Sequence, residues 1–472
     1  MPLKNTKMKR IFLLASLLFS VWACNKAVVT ETEPVTDNNK IPRIISVEDA
    51  LQKLDLFLSD NPLPQTRSGE MRRYSTVSTY YCERVITRTD EGTTTEELPT
   101  AYIINFENDE GFAVLGANEA IPDILAVTES GHIDPASLQV NAGTNCVSTD
   151  FFSDNDMDES EINEFNENVT IIDGSLFYSQ EDDDYYVGAA DVDDFTSELI
   201  RQGIENSYRE FNIEDPTAGP ESGDRYEEYA THSPMLSYSW GQSSPYNKYC
   251  KRGCKKDKEA LTGCSTTAMA MIVAYNEFPQ NLTINGTQIN YGGIKAGRDI
   301  ESVAETYKNQ ISLLMGGIFK KVYKWTGRNF TMITPKQIKK CMEKFKYSNV
   351  KRISASSLTS SMIGKISDML ENSKPVFISA IPKECNHYLS GHSWVIDGAK
   401  YSYDNEYLLH MNLGWRFYSN GYYSTSCLNP AHAEEYDNPN KVDTSADYHY
   451  GWHFRIITYD VPISANELTI DL

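Results

Sequence analysis

The chain has 472 residues, 40% of them hydrophobic, nine cysteines and a formal charge of −23. The length suggests more than one domain, with enough apolar content for real cores. Charge is unevenly spread, with about −27 in residues 1–225 and about +4 in residues 226–472, which argues against nucleic acid as partner of the whole protein and fits two segments of opposite sign, one covering the other.

Residues 1–23 read as an export signal. Lys4, Lys7, Lys9 and Arg10 form its positive region, and Ile11 to Val21 form an apolar core too short to span a bilayer. Val21-Trp22-Ala23-Cys24 resembles the cleavage box of bacterial lipoproteins, which would make Cys24 the lipidated first residue and anchor the exported protein to a membrane. Residues 24–40 are polar and read as a tether.

Ser46-Val47-Glu48-Asp49 has the form of a capping box, and Val47, Ala50, Leu51, Leu54, Phe57 and Leu58 continue it as an amphipathic helix ending near Asn61-Pro62. Strand residues follow at 77–88. Ala101 to Phe106 and Gly111 to Gly116 flank Glu107-Asn108-Asp109-Glu110 as a β-hairpin, and Ile124 to Thr128 adds a strand. Residues 147–195 are dense in carboxylates. Asp154, Asp156, Asp158 and Glu164 have calcium-loop spacing, but Glu159 stands where the loop needs glycine and Phe165 where it needs its last carboxylate, so the stretch reads as a solvated acidic excursion. A helix is predicted from Phe195 to Phe211, then an exposed linker at 215–224.

In the second half, Gly263-Cys264-Ser265-Thr266-Thr267 opens a helix whose Ala268, Met271, Ile272, Tyr275 and Phe278 are spaced as a buried stripe. A cysteine at a helix N-terminus meets free N–H groups and the positive end of the macrodipole, which favour the thiolate. The equally available reading is a small buried cysteine opening a core helix. Further helices are predicted at 300–323, at 335–345 with Thr334 as cap and Pro335 in the first turn, and at 359–372. Strands are predicted at 375–381, 392–398, 407–412, 421–425 and 452–461. A helical half followed by an antiparallel β half makes an α+β fold. Cys250 and Cys254 are near enough to pair, but with no His–His pair nearby they give zinc little support. No cofactor and no metal are expected.

Gly391-His392-Ser393-Trp394-Val395-Ile396-Asp397-Gly398 places His392 at the start of an alternating strand. A Cys–His pair makes a nucleophile, because imidazole takes the thiol proton and returns it to the leaving amine. His387, His410, His432, His449 and His453 compete with His392 on sequence alone. In His410-Met411-Asn412-Leu413-Gly414-Trp415, Asn412 can orient the His392 ring and Trp415 can shield that bond from water.

Four blocks together resemble the streptopain family of papain-like cysteine peptidases: Trp240-Gly-Gln-Ser-Ser-Pro-Tyr-Asn247, Gly263-Cys-Ser-Thr-Thr-Ala-Met-Ala270, Gly391-His-Ser-Trp-Val-Ile-Asp-Gly398 and Asn412-Leu-Gly-Trp415. The resemblance covers most of residues 43–135 and 238–460, and the 101–116 hairpin resembles the family's inhibitory propeptide. It implies a papain-like catalytic domain at 226–472, helical half plus antiparallel half, behind a small α+β inhibitory propeptide at 41–225. It implies peptide-bond hydrolysis with Cys264 as nucleophile, His392 as base and acid, Gln242 beside the Cys264 N–H as oxyanion donor, and Asn412 and Trp415 in support. Polypeptide substrates and the chain's own propeptide are the expected partners. The chain departs from the family at Leu413, where a tryptophan is usual, at Arg416, where glycine is usual, at Ser265-Thr266 after the nucleophile, and at 429–447, where the family has a glycine-rich cleft loop. Leu413 and the unmatched cleft loop motivate a second reading, a surface lipoprotein that keeps the fold as a binding module. A third is acyl transfer to amines on the same Cys–His machinery.

Overall fold

The computed structural model describes residues 42–60, 72–89, 92–138, 169–172, 176–179, 184–185, 192–213, 229–252, 258–322, 324–326, 331–355, 358–382, 391–428, 452–464 and 467–472. The export signal, Cys24 and the tether, the calcium-like stretch, the 215–224 linker and the 429–447 segment lie outside them, as do Cys146, Cys254, Cys385, His387, His432 and His449.

Helix α1, Val47–Asp60, begins where the capping residues predict, with the Asp49 N–H donating to Ser46 Oγ at 3.1 Å, and it buries Ala50, Leu54 and Phe57. Strands β1 (Tyr74–Thr89), β2 (Gly92–Phe106), β3 (Phe112–Gly116) and β4 (Ile124–Thr128) follow as an antiparallel meander. Side chains alternate across it. Ile103 and Val114 enter the main core, whereas Ile104 and Leu115 pack on the other face beneath α1 with Leu54 and Phe57. After a short three-stranded sheet, Val169–Ile172, Leu176–Ser179 and Asp184–Tyr185, comes helix α2, Val192–Ile213, three residues longer at its start than the sequence predicts.

The second half supplies α3 (Cys264–Asn276), α4 (Glu305–Lys321), α5 (Pro335–Lys344), β5 (Ser348–Ala355), α6 (Ser360–Glu371), β6 (Val376–Pro382), β7 (His392–Tyr401), β8 (Tyr407–Asn412), β9 (Gly421–Ser424) and β10 (Trp452–Asp460). Thr334 caps α5 by accepting from the Gln337 N–H, with Pro335 in the first turn. Helix α3 departs from its predicted stripe. Residues 264–274 are buried all round, while Tyr275 is only half-buried, because α3 is a central helix packed against α4, α5, β6 and β7 rather than a surface helix.

These ten strands form one sheet in the order β1-β2-β3-β4-β9-β8-β7-β6-β10-β5, every pair antiparallel, and the other strands among the described residues form three small sheets of two or three strands. The join is β4 against β9, with Gly421 opposite Thr128, Tyr422 opposite Val127 and Tyr423 opposite Ala126. Gly421 is needed there, since a Cβ would stand 2.2 Å from the Val127 carbonyl oxygen. The N-terminal meander is thus hydrogen-bonded into the sheet that carries His392.

Candidate active site

Cys264 is the first residue of α3, and its position is set by the backbone before it. Gly263 has φ +80° and ψ 145°, a region essentially reserved for glycine. A Cβ there would press on Thr331, 3.0 Å from its methyl carbon and 3.1 Å from its carbonyl oxygen. The Gly263 carbonyl accepts from the Thr267 N–H at 3.1 Å, which closes the first turn. Two residues upstream, the Thr262 N–H donates to the Gln242 carbonyl at 3.0 Å, tying the 240–247 block to the approach to Cys264. Ser265 Oγ and Ser393 Oγ lie 2.9 Å apart and join the helix start to the strand bearing His392.

The electrostatics reverse the expectation of an activated thiol. Cys264 is 1% exposed, and burial pushes its pKa up; hydrogen bonds from Ser393 and Ser265 oppose that rise without cancelling it. Desolvation outweighs those hydrogen bonds.

His392 opens β7 and is fully buried. Its Nε2 lies 2.8 Å from the Leu413 carbonyl oxygen. A carbonyl only accepts, so Nε2 carries the proton and Nδ1 holds the lone pair of a neutral ring. Nδ1 has no hydrogen-bond partner. Burial pulls the pKa down to about 3 against a smaller opposing pull from the Leu413 carbonyl. The ring is stacked on Trp415 at 3.9 Å and 6°, with Trp394 on a parallel plane at 6.0 Å. Phe195, from α2, meets it edge-on at 5.0 Å and also touches Trp394 at 5.3 Å and Trp415 at 6.0 Å. The tautomer suits a base, but Nδ1 is unengaged and an aromatic plug from α2 sits against the ring.

Asn412 does not orient His392. Its Oδ1 accepts from Ser239 Oγ at 2.7 Å and its Nδ2 donates to the Tyr238 carbonyl at 3.0 Å, so the side chain binds the 238–239 segment. The next residue's main chain holds the ring instead, and Leu413 itself is tied by its N–H to Asn420 Oδ1 at 2.8 Å. A carbonyl serves whatever side chain residue 413 carries, so leucine in place of tryptophan leaves this bond intact. Trp415 does take the expected place beside the imidazole. Gln242 is buried, and both polar atoms of its carboxamide lack a partner, an arrangement fit for a donor awaiting an oxyanion.

Of the competing histidines, His410 is committed elsewhere. Its Nδ1 lies 2.6 Å from Asp397 Oδ1 and its Nε2 3.2 Å from Glu129 Oε1, all three side chains being buried. Burial works against the charged ring, but the two carboxylates outweigh it and raise the pKa to about 9. Sequence reading missed this group and the role of Phe195. Asp397 and His410, polar residues at inward places of adjacent strands, were the available signal. Among the described residues no cluster of histidine, cysteine and carboxylate could hold a metal ion, and Cys82, Cys250, Cys264, Cys341 and Cys427 form no disulfide with one another.

Residues 240–423 match the peptidase C10 family, and residues 42–144 match the Spi protease inhibitor family. The chain carries a C10 cysteine peptidase domain behind a Spi-type inhibitor domain. The C10 match spans Gln242, Cys264, His392, Asn412 and Trp415; the inhibitor match spans α1 and β1–β4. Helix α2 with Phe195 falls between the two. The C10 match takes in both the helical half, α3 to α6, and the antiparallel strands β6 to β8. Among solved structures, the chain is similar to a prointerpain A fragment from Prevotella intermedia, mutated from cysteine to alanine at one position, at 18% identity over 81% of this chain and 100% of that one, with a TM-score of 0.46. It is also similar to active interpain A cysteine protease from the same organism, at 19% identity over 48% of this chain and 95% of that one, with a TM-score of 0.37. Comparison with curated proteins gives no match.

Proposed function

We propose that this C10 peptidase is an exported, lipid-anchored cysteine endopeptidase that hydrolyses peptide bonds once its inhibitory segment is released. The observation that carries the reading is Cys264 at the head of a buried helix, beside a strand whose His392 holds a neutral ring with a free Nδ1 lone pair. In the released enzyme, Nδ1 takes the Cys264 proton and the thiolate attacks the scissile carbonyl carbon. The Gln242 amide and the Cys264 N–H bear the oxyanion. His392 returns the proton to the departing amine; water, deprotonated by His392, then cleaves the thioester and regenerates the thiol.

Residues 41–225 act as the propeptide and 226–472 as the enzyme, with maturation by cleavage within 215–235. Cys24 carries the lipid, in the periplasm or on the cell surface. The test is a peptide library incubated with the nicked chain under reducing conditions, with and without an added primary amine. Free carboxyl products in both arms support hydrolysis; amide adducts indicate acyl transfer; silence, with no labelling by a thiol-directed peptide inhibitor, indicates a binding module. Metabolic labelling with an alkynyl fatty acid, lost in Cys24→Ser, tests the anchor.

A further inference from the structure

The join between inhibitor and enzyme contains a charge arrangement that substrate cleavage does not require. Strand β4 adds to the edge of β9, and the residue immediately after β4 is Glu129. Its N–H donates to the Asn420 carbonyl at 2.7 Å, continuing the strand-to-strand bonding, while its side chain turns under β9 to His410. Ser130 extends the grip, its Oγ donating to the Phe417 carbonyl and its own carbonyl accepting from the Ser419 N–H at 3.0 Å. The two pairing segments come from opposite sides of the expected maturation cut.

We propose that the edge of β9, backed by His410 and Asp397, is a receptor for an extended strand carrying one carboxylate, and that Glu129 of the propeptide is the carboxylate it takes. Strand addition supplies affinity through main-chain bonds, and the buried ion pair supplies selectivity. Asp397 holds His410 from β7 and is itself held by the Leu236 N–H at 2.9 Å, so the cation stays in place when the propeptide leaves. Glu129 and His410 side chains are each 3% exposed, a depth at which salt screens little. The inference rests on the proenzyme reading, and it differs from a general attraction between an acidic half and a basic half, which salt would weaken.

The groups around His410 fix the pH behaviour. Asp397 faces it from β7, Glu129 from the end of β4, and Tyr422 from β9 with its ring at 4.9 Å. Arg298 stands 4.0 Å from the second Glu129 oxygen, and Arg72 donates to the Thr128 and Glu129 carbonyls. Beyond Tyr422, Lys400 lies 3.7 Å over that ring, its pKa lowered by burial to about 7. His410 has a raised pKa, so its contribution is full below the ordinary histidine value and is lost as pH rises through about 9. Lys400 pulls the other way over part of that range, and a ratio between variants removes it.

The experiment uses the uncleaved chain with Cys264→Ala, so its outcome does not depend on whether the enzyme cuts peptides. Hydrogen exchange at the amides of 126–128 and 421–424 reads how often β4 parts from β9, between pH 7 and pH 10. Adding Glu129→Gln should raise opening at least about 30-fold at pH 7, the scale of a broken buried charge pair, and the ratio to the parent should fall toward one by pH 10. Adding Val127→Ala, which removes only packing, should raise opening by a ratio that stays constant with pH. A Glu129→Gln ratio within about threefold of one at pH 7, or a large ratio that does not change with pH, overturns the proposal.

Discussion

Replacing Phe195 with alanine tests whether α2 closes the site over the His392 ring. The side chain is fully buried and meets His392, Trp394 and Trp415 with ring centroids 5.0 to 6.0 Å away. Truncating a buried phenylalanine costs about 3–5 kcal/mol. The lost contacts lie between α2 and the site, so most of that cost falls on docking of α2. Taking about 3 kcal/mol, the site of the uncleaved chain should open roughly two orders of magnitude more often. The assay is the rate at which a small uncharged thiol reagent labels Cys264, read peptide by peptide by mass spectrometry, with processing followed in the same spectra. Phe195→Ala should label about 100-fold faster at pH 7. If labelling stays at the wild-type rate while the thermal midpoint falls, Phe195 is only packing and the plug is refuted.

Neutral, buried His392, with a pKa of about 3, makes the closed form lose stability as pH falls below the ordinary histidine value. Labelling of Cys264 in the uncleaved chain, corrected for thiolate fraction, should therefore rise about tenfold between pH 6.5 and pH 5; a flat profile contradicts the buried neutral ring. Gly263→Ala should destabilise the protein by about 1–3 kcal/mol, because its backbone conformation is one that side chains avoid. Urea unfolding with an unchanged midpoint would show that the turn before Cys264 is not strained. In the released enzyme, Gln242→Ala should lower kcat about 100-fold or more with KM little changed; an effect confined to KM would place Gln242 in substrate binding instead.

The parts of the fold set by local pattern were legible in the sequence. Ser46 and Thr334 mark their helix starts, the 101–116 hairpin closes where the charged turn residues stand, and β6 to β9 follow the predicted strands. What depends on distant contact was not. Ser348–Ala355 pairs with β10, but its half-exposed, largely polar run gives no alternation to read. The join of β4 to β9 spans nearly 300 positions of sequence, and hydrophobic period alone does not specify a partner. At the site, Cys264 heads α3 and His392 opens β7, where their local sequence patterns put them. The orienting acceptor was one residue off, at the Leu413 carbonyl, since any residue supplies a backbone carbonyl and side-chain reading cannot see it. Of the two readings open for Cys264, the structure shows the buried one, with a raised thiol pKa, because sequence marks the helix start but not how deeply the fold encloses it.

The most direct measurement of the central claim compares residues 25–472 as wild type and as Cys264→Ala under reducing conditions, following fragment masses and cleavage of a mixed peptide library together. The account predicts that only the wild type sheds its N-terminal segment near 215–235 and then cuts peptides. A wild-type chain nicked in the linker that neither cuts peptides nor reacts with a thiol-directed peptide inhibitor would contradict it.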